Sequence, residues 1–141
     1  MHIGRSDGVS QRLQNKVRKA IELTKNNKKL TVCIAFNYGG RSEIVNAVKR
    51  IIQDDITPEK IDEALVSKYL YTSDLPDPDL IIRTGGEMRI SNFLLWQAAY
   101  SEYYITPTLW PDFEPEEVEQ ALAAFSDRER RFGGLRNRGK A

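Results

Sequence analysis

Between Leu30 and Tyr38 the chain reads LTVCIAFNY, and between Leu80 and Thr84 it reads LIIRT. Short β-branched runs without polar alternation suit strands covered on both faces, as in parallel sheets. Helical patterns lie around them. Ser10–Lys25 sets Leu13, Val17, Ala20, Ile21 and Thr24 on one side, with Ser10 as its N-cap. Ser42–Asp55 does the same with Ile44, Val45, Val48, Ile51 and Ile52. Thr57 as N-cap and Pro58 at the first helical position open a third helix running to Leu70. Ser91–Tyr100, SNFLLWQAAY, is apolar nearly all round and reads as a deep helix. SEYYITP follows as a strand, and EPEE opens a final helix after the LWPDF loop. The order α-β-α-α-β-α-β-α predicts an α/β layered fold with a parallel sheet. Such sheets usually hold more strands, and this chain begins in a helix, so part of a doubly wound sheet is expected to be missing.

The bulk numbers exclude several classes. A chain of 141 residues makes one domain. Lys and Arg number 21 against 20 Asp and Glu, so no global charge points to nucleic acid. No run approaches the length of a membrane span, and the polar, glycine-containing start is not a signal peptide. The single cysteine, Cys33, lies in a strand-like run, which rules out a disulfide framework and favours a reducing, cytoplasmic setting. His2 stands alone in a loose start and carries no assignment. Trp96, Trp110 and Phe113 read as core or packing residues.

The chemistry gathers at the strand ends. RTGGEMRIS joins the LIIR strand to the SNFLLWQAAY run. Gly85 and Gly86 permit positive φ or close backbone approach. Arg83 and Arg89 supply two guanidinium forks matched to phosphate, and Ser91 can cap the helix whose N-terminus adds N–H donors. Two arginines at a helix start suit a diphosphate that is held rather than attacked, because no nucleophile stands nearby. Blander readings stay open: pairing of the arginines with Glu87, Asp77 or Asp79, a plain turn at Gly85–Gly86, and a plain cap at Ser91. Glu102 reads either as a solvated edge carboxylate or as a Mg²⁺ ligand near a diphosphate.

DLPDPDLIIRTGGEMRISNFLLWQAAYSEYY, LWPDF and RERRFGG, preceded by NYGGRSEIVNAV, resemble the C-terminal half of the cis-prenyltransferases, in particular the bacterial undecaprenyl diphosphate synthases. The resemblance runs from about Ser10 to Gly134. It implies a partial, Rossmann-like fold lacking the N-terminal strands, with residues 1–141 forming the C-terminal part of one domain and 135–141 a flexible tail. It also implies a cytoplasmic, Mg²⁺-dependent homodimer that condenses isopentenyl diphosphate onto an allylic diphosphate with cis geometry, whose substrate or product can be membrane-associated. Carried over by motif, Arg83, Arg89 and Ser91 would hold the isopentenyl diphosphate and Glu102 would bind Mg²⁺. Arg131 and Gly133 would reach a diphosphate across the dimer. Asn37, Gly40 and Arg41 would belong to the catalytic rim. The family's N-terminal phosphate loop and its catalytic aspartate have no match in this sequence, so no catalytic residue is assigned. The chain is therefore expected to bind isopentenyl diphosphate, to be inactive alone, and to expose a strand edge that drives association. The alternative is a non-catalytic partner subunit of a cis-prenyltransferase complex.

Overall fold

The computed structural model describes residues 1–128. They fall into two compact units, Met1–Pro76 with Ser91–Trp96, and Asp77–Ile90 with the described residues from Gln97 onward.

The first unit opens with a strand, β1 (His2–Ile3), where the sequence suggests a loose start. β1 pairs in parallel with β2 (Ile34–Ala35), in the register His2↔Ile34 and Ile3↔Ala35. The pairing is extended by the Met1 ammonium donating to the Val32 carbonyl at 2.6 Å and by a His2 ring nitrogen at 3.2 Å from the Phe36 carbonyl oxygen. Gly4 makes the following turn at φ 121°, where a Cβ would lie 2.1 Å from the Phe36 carbonyl oxygen. β2 is shorter than LTVCIAFNY suggests and is not covered on both faces. Only the brief β1 pairs with it among the described residues, and Leu30, Val32, Ile34 and Phe36 stay exposed.

Helix α1 (Gln11–Thr24) starts where Ser10 accepts the Leu13 N–H, as the capping pattern predicts. None of its residues is fully buried, although Leu13, Val17, Ala20 and Ile21 line an apolar hollow of about 390 Å³ with Met1, Val32, Ile34 and Phe36. Helix α2 (Gly40–Gln53) buries Gly40, Glu43, Ala47 and Ile51. That stripe differs from the apolar face read in the sequence, because Val45, Val48 and Ile52 face outward. Thr57 and Pro58 form only a short 3-10 turn, and helix α3 (Glu63–Tyr69) instead begins at Asp62, whose carboxylate accepts the Leu65 N–H at 2.7 Å.

In the second unit β3 (Leu80–Arg83) and β4 (Glu102–Ile105) pair in parallel, running from Leu80↔Glu102 to Arg83↔Ile105. Helix α4 (Pro115–Ser126) carries a reciprocal capping box between Glu114 and Glu117, as EPEE predicts. Trp110 does not pack the loop onto the core; it is 75% exposed and stacks on Phe113.

The largest departure is the SNFLLWQAAY run, which forms no α-helix. Residues 91–96 are turns and bends, and only Gln97–Tyr100 make a short 3-10 turn. Ser91, Asn92 and Leu94 take positive φ of 50°, 63° and 44°. The run's composition is helical, but its backbone is recruited elsewhere: the Asn92 carbonyl accepts the Gly40 N–H at 2.7 Å. Tertiary demand outweighs local propensity here.

Candidate functional site

In the second unit the two arginines meet. Arg83 ends β3 and sends Nη2 to Glu87 Oε2 at 2.7 Å. Arg89 brings its own Nη2 to the same oxygen at 2.5 Å. The turn between them uses Gly85 and Gly86 at φ 86° and 74°, which side-chain-bearing residues rarely adopt. Their N–H groups do not form an anion cradle, because they donate to the Thr108 and Thr106 carbonyls at 2.9 and 2.8 Å. The expected helix N-terminus after Ser91 is also missing, so Ser91 caps no helix. What the sequence describes as a loop, helix and arginine cradle is built as two guanidiniums converging on one carboxylate oxygen.

Glu102 starts β4 opposite Leu80, while Arg83 stands at the far end of β3 opposite Ile105. About 10 Å of strand therefore separates the two positions. The Glu102 carboxylate accepts from Arg128 Nη1 at 2.9 Å, and the same nitrogen donates to the Tyr103 carbonyl. No cluster of three or more potential metal ligands occurs among the described residues. A lone carboxylate still meets the chemistry of Mg²⁺ on a diphosphate, since that ion takes one or two carboxylates and draws its other oxygens from phosphate and water.

Asn37, Arg41 and Ser91 lie in the first unit. Asn37, at φ 52°, donates from Nδ2 to the Arg5 and Asp7 carbonyls at 3.0 and 2.9 Å, so its side chain shapes the turn after β1. Arg41 sits in the first turn of α2 with an exposed side chain. It borders an open cleft of about 850 Å³, also lined by Arg5, Asp7, Asn46, Lys49 and Tyr71. Arg5 and Asp7 are ion-paired there, and the guanidinium's hydrogen bond holds the Asp7 carboxyl below its usual range. Arg131 and Gly133 lie outside the described residues.

The sequence reading passes over two residues that hold this unit together. Glu43 is 1% exposed. Its Oε2 accepts the Tyr38 hydroxyl at 2.5 Å and its Oε1 accepts the Tyr71 N–H at 2.7 Å. Burial first, then the bond to Glu43, raises the Tyr38 phenol above its ordinary range. The signal was present: Gly40, Glu43, Ala47 and Ile51 recur at helical spacing, with a carboxylate on an otherwise apolar stripe. The second is Asn92, whose Oδ1 accepts the Arg41 N–H at 2.9 Å. No local pattern points to it, because its partner lies 51 positions away.

A family model described as putative undecaprenyl diphosphate synthase matches residues 1–133. Among curated relatives, an isoprenyl transferase of Fusobacterium nucleatum is 60% identical over 134 residues, which cover 95% of this chain and 57% of that protein. The (2E,6E)-farnesyl-diphosphate-specific ditrans,polycis-undecaprenyl-diphosphate synthase of Escherichia coli K12 is 49% identical, covering 94% of this chain and 54% of that one. Of solved structures, lavandulyl diphosphate synthase from Lavandula x intermedia, in complex with dimethylallyl diphosphate, superposes with a TM-score of 0.89 at 38% identity over 94% of this chain and 58% of that one. A probable undecaprenyl diphosphate synthase from Campylobacter jejuni gives 0.84 at 34% identity, covering 94% of this chain and 62% of that one. The chain thus spans just over half the length of these curated relatives. From the match over nearly its whole length, the chain belongs to the undecaprenyl diphosphate synthase family of cis-prenyltransferases.

Proposed function

We propose that this chain binds the diphosphate of isopentenyl diphosphate through Arg83 and Arg89, as the C-terminal portion of a synthase that adds it to an allylic diphosphate with cis geometry. One observation carries the reading: both guanidiniums reach a single anionic oxygen beside the Gly85–Gly86 turn. Guanidinium forks bind phosphate oxygens with charge-assisted hydrogen bonds, and a diphosphate offers more such acceptors than one carboxylate does. Glu87 then acts as a place-holder that keeps the arginines together until the substrate displaces it. The binding half of the reaction is the part this chain supplies. Its arginines hold and neutralise a diphosphate that keeps its bonds while the attached carbon skeleton reacts.

Glu102 is the carboxylate proposed to hold Mg²⁺, which when bound offsets diphosphate charge. The separation of Glu102 from Arg83 along the strands favours a homodimer, in which a second copy brings the metal's carboxylate to the site. Ser91, Asn37 and Arg41 are proposed to complete the substrate rim, and a cytoplasmic setting follows from the free cysteine. Condensation by the chain alone is not expected, because no residue in it matches the family aspartate that assists departure of the allylic diphosphate.

Replacing Glu87 gives a direct test. A Glu87→Gln variant no longer opposes an incoming anion with a charge, so inorganic diphosphate should bind about threefold to tenfold more tightly in calorimetric titration. Weaker binding by the variant would mean that Glu87 recruits ligand rather than standing in for it.

A further inference from the structure

Helix α2 lacks a cap of its own. Its N-cap residue is Gly39, which has no side chain to accept the first-turn N–H groups. Those groups are satisfied from far along the chain: the Asn92 carbonyl takes the Gly40 N–H at 2.7 Å, and Asn92 Oδ1 takes the Arg41 N–H at 2.9 Å. The two glycines make the approach possible. A Cβ on Gly39 would lie 2.7 Å from Asn92 Nδ2, and one on Gly40 would lie 2.8 Å from Leu95 Cγ. Asn92 itself sits at φ 63°, between positive-φ Ser91 and, two residues on, positive-φ Leu94. Left-handed backbone in consecutive non-glycine residues persists only where surrounding contacts enforce it. Here Phe93 packs edge-on to Tyr38 at 5.8 Å, and Trp96 Nε1 donates to Ser67 Oγ at 3.0 Å.

We infer that Asn92 is a positioning residue: it caps α2 from a distance, and so fixes Arg41 and Ser91 against each other. The inference rests on the proposed role of Arg41 and Ser91 at the diphosphate. It gives the two glycines of NYGGR a different task from phosphate binding: they are the seat on which residues 92–95 lie. It also explains the left-handed turn, which brings both acceptors of Asn92 to the helix end.

Two variants separate the cap from the backbone. Asn92→Gly keeps the left-handed conformation and the carbonyl but removes Oδ1, whereas Asn92→Asp keeps an acceptor there. Amide hydrogen exchange on the full chain should show the Arg41 N–H losing about tenfold in protection in the Gly variant and regaining it in the Asp variant, with the Gly40 N–H little changed. Unchanged protection at Arg41 in the Gly variant overturns the inference. Titration with isopentenyl diphosphate and Mg²⁺ tests the consequence. Asn92→Gly should weaken binding about fivefold, and in an Arg41→Ala background it should weaken it no further. Additive losses overturn the action through Arg41. A wild-type chain that binds no diphosphate overturns the functional reading and the positioning role with it, while the exchange data still report whether Asn92 caps α2, so the two failures are distinguishable.

Discussion

Replacing Glu43 by alanine is expected to lower the chain's stability by about 3 kcal/mol in urea unfolding. The carboxylate is 1% exposed and accepts from the Tyr38 hydroxyl and the Tyr71 N–H. Removing it leaves both donors without that acceptor inside the unit, at about 1–3 kcal/mol for each buried group. It also opens a hole beside Ala47 and Ile51, the other buried residues of the α2 stripe. Burying a carboxylate is itself costly, and its removal returns part of that cost. The balance still falls on the side of loss, because two short hydrogen bonds disappear at once. Against a typical stability of about 5–15 kcal/mol, such a loss would change the folded population substantially. Val45→Ala on the outward side of the same helix is the control, expected within about 0.5 kcal/mol of wild type. A Glu43→Ala variant as stable as that control would show that the network holds nothing together.

Gly40→Ala has the next largest expected effect, and here two opposing effects decide the sign. Alanine favours a helix over glycine by about 1 kcal/mol. The added Cβ would meet Leu95 at 2.8 Å from Cγ, 3.0 Å from the backbone nitrogen and 3.1 Å from Cβ. A backbone atom cannot rotate away as a flexible side-chain end can, so residues 92–95 must move. Overpacking of this kind costs about 1–3 kcal/mol, and displacing Asn92 forfeits the bond to the Gly40 N–H, worth about 1 kcal/mol more. A net loss of about 2 kcal/mol in urea unfolding is expected. Stabilisation by about 1 kcal/mol would instead mean that the Asn92–Leu95 segment yields freely and is not seated on α2.

How much of this was legible depended on whether a residue's partner lay nearby in sequence. Ser10 capping α1 and Glu114 boxed with Glu117 are local, and both form as read. β3 and β4 form close to the LIIRT and SEYYITP runs. SNFLLWQAAY fails as a helix because its backbone serves α2, more than 50 residues upstream, a demand that no local window contains. β1 was missed because a two-residue strand has no periodicity; it exists through pairing with Ile34 and Ala35. The arginines were legible as a pair, and so was Glu87 as their competing partner. Only the structure shows that both reach one Glu87 oxygen while the glycine N–H groups are occupied elsewhere. The exposed Val45, Val48 and Ile52, together with Leu30 and Val32, explain why helical patterns that read as buried are not buried in this chain. Patterning marks what can be covered, whereas burial depends on what is there to cover it.

The most direct measurement is isothermal titration of this chain with isopentenyl diphosphate and Mg²⁺, beside an Arg83→Ala, Arg89→Ala double variant, with the oligomeric state determined on the same samples. Each arginine contributes a charge-assisted contact of about 1.5–3 kcal/mol, so the double variant should bind at least about 100-fold more weakly. Saturable binding by the wild type that disappears in the folded double variant is the expected result. Equal binding by both, or no binding by a folded wild-type sample, would contradict a diphosphate clamp built on Arg83 and Arg89.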